Sequence, residues 1–141
     1  MTLRRLGMIL AALALVGAAE PPEREKQPGE QVLCIAALVY FAKLQADACH
    51  AGKDPAYQTR LSGYTDRFDA YLVRNFEGGE VDLARFKEQQ GLTSPADKRI
   101  CEQGEDYDFY GSFKQMPKEA MDEMVDSLLE RDGPPTFGDC L

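Results

Sequence analysis

The sequence has no tryptophan and a single histidine, His50. One imidazole cannot build a His-rich metal centre, since a zinc site generally needs three or four convergent ligands, and no HxxxH pair exists. None of the four cysteines is spaced as CxxC, which removes a thioredoxin-like redox centre. CxxCH is absent too, and with it an ordinary c-type haem attachment. There is no GxSxG, and a serine triad would have to recruit His50. No glycine-rich phosphate loop is present, and Gly78-Gly79 reads as a turn. Basic residues are scarce: 16 Lys and Arg face 24 Asp and Glu, a net charge of −8. That balance excludes nucleic acid, whose phosphates require cationic neutralisation, and disfavours anionic membrane surfaces. A solvated acidic surface is its plain consequence, and a basic partner is the kind it allows.

The N-terminus supplies an address. Arg4 and Arg5 precede the uncharged run Leu6 to Ala19, which ends in small residues. This pattern predicts a signal peptide over 1–19, cleaved after Ala18 or Ala19. A spanning anchor needs about 20 apolar residues, more than this run offers. There is no cysteine at the cleavage point to take a lipid. Cleavage after Ala19 removes two arginines and no acid, leaving 122 residues of net charge −10. The expected location is exported, in the periplasm or outside the cell, with no membrane span in the mature chain. Residues 20–29 (EPPEREKQPG) are charged and Pro-rich and predict a flexible leader. Residues 30–141 are expected to form one domain.

Helical patterns fill that domain. From Val32 to Ala48 only Lys43, Gln45 and Asp47 are polar, so the segment predicts a helix surrounded by others, stopped by Gly52. Asp54-Pro55 is a start signal, with Asp54 as N-cap. The following stripe of Tyr57, Leu61, Tyr64, Phe68, Tyr71 or Leu72, and Phe76 is the clearest periodic signal in the chain. A short helix over Glu80 to Gln90 carries Val81, Leu83 and Phe86, and Gly91 breaks it. Ser94-Pro95 predicts a restart that includes Ile100 and Cys101 and fades near Gly104. Glu105 to Met116 reads as irregular. Pro117 opens a last helix with a stripe of Met121, Met124, Val125, Leu128 and Leu129. The fold class is therefore all-α, a small disulfide-stabilised bundle of four to five helices.

An even cysteine count in an exported chain predicts two bridges. Cys34 and Cys49 lie 15 residues apart on one helix, roughly 22 Å at 1.5 Å per residue. A disulfide needs Cα atoms within about 7 Å, so these two cannot pair. An antiparallel walk through the helices favours Cys49–Cys101 nested inside Cys34–Cys140. The alternative, Cys34–Cys101 with Cys49–Cys140, follows if the Gly91–Pro95 break is a full reversal.

The remaining constellations are weak. His50 beside Cys49 is better read as a helix-end residue complementing the dipole than as a thiol partner, because a bridged cysteine is no nucleophile. Asp106-x-Asp108-x-Tyr110-Gly111 echoes an EF-hand start but places Tyr110 at position 5 and Pro117 at position 12, where a bidentate Glu is required. With Glu102 and Glu105 it reads as a solvated acidic loop. No metal site and no cofactor is expected. Tyr40, Tyr57, Tyr64, Phe68, Tyr71 and Tyr110, with Met121 and Met124, are either an ordinary core or the lining of an apolar pocket or partner groove. The expectation is a non-enzymatic binding protein of the inhibitor, immunity or chaperone-like kind, acting on an unidentified protein partner. A carrier of a small hydrophobic ligand is the alternative.

Overall fold

A computed structural model describes residues 24–93, 98–102 and 107–140. The signal segment, Ser94-Pro95 and the Glu105-Asp106 pair lie outside the described residues. Among those described there are five α-helices and no strand: α1 Val32–Cys49, α2 Pro55–Asn75, α3 Glu80–Gln89, α4 Phe109–Gln115 and α5 Lys118–Leu129. A 3₁₀ turn, Lys98–Cys101, stands where the sequence predicts a longer helix.

Helix α1 is the hub and packs against α2, α4 and the 3₁₀ turn, while α2 also carries α3 and α5. Its apolar all-round composition follows from that position: Val32, Ala36, Val39, Ala42 and Ala46 are fully buried. The chain path is antiparallel from α1 to α2, with the end of α2 beside the start of α1. Tyr64, Arg67 and Arg74 on α2 meet Asp122, Asp126 and Asp132 in that order, so α5 runs parallel to α2 and against α1. The α2 stripe lands where its period places it. Leu61, Phe68 and Leu72 are fully buried and Tyr57, Tyr64 and Tyr71 nearly so, in one core with Leu83, Phe86, Met121 and Val125.

The path brings the cysteines together in nested pairs. Cys34 is bonded to Cys140 and Cys49 to Cys101, each with Cα atoms 5.6 Å apart. One bridge ties the C-terminal tail to the start of α1. The other ties the 3₁₀ turn to its end.

Three local expectations are corrected. Asp54 precedes α2 but is left-handed (φ 47°) and makes no side-chain cap; its carboxylate is drawn to Tyr110 and Lys114 instead. The Glu105 to Met116 segment is not wholly irregular, because Asp108 caps a seven-residue helix by accepting from the Gly111 N–H at 2.8 Å. Pro28 and Gly29, assigned to the leader by composition, belong to the folded part. Gly29 is buried, its carbonyl accepts from Thr136 N–H at 3.0 Å, and a Cβ there would collide with the Pro134 backbone. Helix α1 is also long and apolar enough to cross a bilayer by length and composition, with a mean hydropathy of 1.6 over 18 residues. A central core helix meets the same criterion, and eight apolar residues of α1 are buried.

Candidate functional site

The aromatic residues singled out by sequence are brought into one core rather than around one shared pocket. Tyr40, Tyr57, Tyr64, Phe68, Tyr71, Tyr110 and Met121 are buried, and only Met124 is half-buried. Every buried phenol oxygen among them has a partner within the protein, as hydroxyls taken from water must. Tyr57 donates to the Tyr110 carbonyl at 3.1 Å, and Tyr71 lies 3.1 and 3.2 Å from the Arg131 and Gly133 carbonyls.

The other three share a device. Tyr40 donates to Asp69, whose second oxygen receives Lys87 at 2.8 Å. Tyr64 donates to Asp122 at 2.6 Å, and Lys118 binds the same carboxylate. Tyr110 donates to Asp54 at 3.0 Å, and Lys114 reaches it at 2.6 Å. Each Tyr–Asp–Lys set lets a ring enter the core while its hydroxyl ends on a surface ion pair. Burial, followed by the adjacent carboxylate, pushes the Tyr40, Tyr64 and Tyr110 phenols upward, with Tyr64 at about 12. Such phenols stay neutral donors at physiological pH and are unsuited to act as bases. The Asp54 and Asp122 carboxyls are held below the usual carboxylate range, by Lys114 and Lys118 first and by the phenols second.

His50 stacks on Tyr110, with ring centroids 4.0 Å apart and planes 8° from parallel. That occupies it structurally, beside the Cys49–Cys101 bridge. No group of three or more metal-ligating side chains occurs among the described residues. Asp108 is spent on its cap, and Tyr110 points into the core, so the described part of the EF-hand-like stretch is helix rather than ion loop.

Three surface depressions formed by the described residues bear on function. One of about 160 Å³ is lined by Tyr40, Lys43, Leu44, Thr65, Asp69, Lys87 and Leu92, so the first Tyr–Asp–Lys set forms part of its wall. A second, about 390 Å³, lies between the Lys26–Gln31 turn and α5, with Ile35, Met124 and Leu128 as apolar lining and Lys26 and Arg131 at its edge. The third is an open trough on the outer face of α5, lined by Glu119, Asp122, Glu123, Asp126, Ser127 and Glu130. Arg67 pairs with Asp126 and Lys118 with Asp122. Glu119, Glu123 and Glu130 are exposed and make no ion pair among the described residues. Comparison with protein-family models, with curated proteins and with solved structures finds no match. The site is therefore read from its own chemistry.

Sequence reasoning passed over Gln45. It is the one buried polar residue among those described, at 5 % exposure. Its carboxamide donates to the Tyr107 carbonyl at 2.8 Å and accepts from the Tyr110 N–H at 3.0 Å. A lone amide inside an otherwise apolar run was the available signal, since a buried polar group requires a partner.

Proposed function

We propose that this is an exported, non-enzymatic binding protein that engages a basic protein partner through the acidic face of α5. The observation that carries the reading is the five-carboxylate trough over α5, set on a core whose buried polar side chains are satisfied among the described residues. A field of one sign steers an oppositely charged partner and makes binding salt-dependent. The apolar N-terminal run and the two bridges support export into an oxidising compartment, periplasmic or extracellular. The test is capture of partners by the mature, oxidised chain from its native envelope or medium, in parallel with an E119K/E123K/E130K variant. The expected partner is basic, bound less tightly at high salt, and lost by the variant. Retention of the same partner by the variant at high salt contradicts the reading.

A second reading, carriage of a small hydrophobic ligand, draws on the 390 Å³ depression, whose Ile35, Met124 and Leu128 lining falls within the volume range of small-molecule sites. Solvent extraction of protein purified from its native source, followed by mass spectrometry for lipids, tests it. A stoichiometric lipid favours the carrier over the partner binder.

A further inference from the structure

The two bridges sit at opposite ends of the same helix. Cys34 is the third residue of α1 and Cys49 its last. A helix N-terminus carries partial positive charge and favours a thiolate, and its C-terminus does the reverse. Thiol–disulfide exchange is faster when the departing sulfur is the better-stabilised thiolate. Cys34 is thus the better leaving group of the two α1 sulfurs.

What each bridge holds also differs. Cys140 ends a strap, Arg131 to Cys140, in which no residue is fully buried. Beyond Gly133 it is held by the Thr136 N–H to Gly29 carbonyl and Leu33 N–H to Thr136 carbonyl bonds, at 3.0 and 3.1 Å. Gln31 Nε2 also donates to the Asp139 carbonyl at 2.6 Å, and Phe137 rests on Phe86 with centroids 6.1 Å apart while 41 % exposed. Gly133 itself is anchored, its N–H donating to Asn75 at 2.9 Å and its carbonyl near the Tyr71 hydroxyl. A segment with few buried contacts and a fixed root opens locally without unfolding the rest. Within the bridge the strap's sulfur is the reachable one, since Cys140 is half-buried and Cys34 only 2 % exposed. The Cys49–Cys101 bridge is the more accessible of the two, with Cys101 exposed and Cys49 half-buried, but it joins the 3₁₀ turn to the hub helix against which it packs, and that packing resists its opening.

We propose that Cys34–Cys140 is a thiol–disulfide exchange site, opened selectively by a dithiol reductant to release the C-terminal strap from a domain that stays folded. A reductant thiolate attacks Cys140 Sγ, forming a mixed disulfide and expelling Cys34 as thiolate. The reductant's second thiolate then attacks its own sulfur in that mixed disulfide and expels Cys140. The reductant ends as a disulfide, and both cysteines end as thiols after taking one proton each, a two-electron reduction.

The experiment equilibrates the mature, oxidised protein in graded dithiothreitol at neutral pH, alkylates the free thiols, and maps them by mass spectrometry beside far-ultraviolet circular dichroism. Cys34 and Cys140 are expected to label together at a reductant ratio about tenfold below that needed for Cys49 and Cys101, equivalent to a difference of about 30 mV, with helical signal unchanged. Labelling of Cys49 and Cys101 first, or of all four together with loss of helix, overturns the proposal. A Cys34→Ser/Cys140→Ser double variant is expected to fold and to lose its last residues rapidly to carboxypeptidase. A double variant that is unfolded, or whose tail resists digestion as the oxidised protein does, also overturns it.

Discussion

Gln45→Leu isolates the polar link between the hub helix and α4. The substitution roughly keeps side-chain volume and helix propensity, so it acts mainly on the carboxamide. Two hydrogen bonds are lost. The one to the Tyr107 carbonyl is replaceable by water, because Tyr107 is 58 % exposed, and such a neutral bond is worth about 0.5–1.5 kcal/mol. The other partner is the Tyr110 N–H, which belongs to the second residue of α4 and has no intrahelical acceptor. Leaving it buried and unpaired costs about 1–3 kcal/mol. New apolar contact by the leucine returns about 1 kcal/mol. The net expectation is a loss of about 1–3 kcal/mol, or roughly 4–12 °C in Tm for a domain of this size. Urea unfolding of the oxidised protein measures the loss, and amide exchange at Tyr110 shows whether α4 is where it falls. A variant as stable as the parent, with the Tyr110 amide equally protected, would show that the carboxamide does not secure α4.

Phe68→Ala, at a fully buried ring, is expected to cost about 3–5 kcal/mol in the same assay. Val81→Ala, at 65 % exposure, should stay within about 0.5 kcal/mol; equal losses at the two sites would contradict the core assignment. The lowered carboxyls of Asp54, Asp122 and Asp132 stabilise the fold above the ordinary carboxylate range, and that contribution is lost as pH falls through their depressed folded values. The urea midpoint should therefore drop on acidification below about pH 4, and Asp122→Asn should flatten that dependence; an unchanged slope counts against the Tyr64–Asp122–Lys118 set. Five phenols, those of Tyr40, Tyr57, Tyr64, Tyr71 and Tyr110, have folded values raised by burial, so they stabilise the fold below about pH 10 and lose that effect as pH climbs through the raised values. Tyrosinate absorbance should lag free tyrosine and rise with loss of helix, whereas ionisation of all six at the ordinary value with helix intact would contradict their burial.

The parts legible in the sequence are those governed by local period and by reach. The α2 stripe is regular enough to name its buried face residue by residue, and the apolar composition of α1 declares a helix enclosed by others. Helix rise alone forbids Cys34–Cys49, and the antiparallel path then favours the pairs that the structure bonds. The illegible parts depend on distant partners. Helix α4 has only seven residues, too few to carry a period, and it is secured by Gln45 from α1, 65 positions away. Pro28-Gly29 looks like mobile leader until Gly133-Pro134 packs on its backbone from the other end of the chain. Asp54 has the local signature of a cap, yet Lys114 and Tyr110 compete for its carboxylate from α4. The pocket residues show the same limit: amphipathic tyrosines suit a pocket or a core equally well, and only the long-range Asp69, Asp122 and Asp54 contacts reveal where their hydroxyls end.

Mass mapping of peptides from unreduced protein of the native source tests whether the hub helix of this α-helical domain is stapled at both ends. Cys34 is expected linked to Cys140 and Cys49 to Cys101, with no free thiol. A Cys34–Cys101 or Cys49–Cys140 peptide would contradict both the chain path and the arrangement of helices built on it.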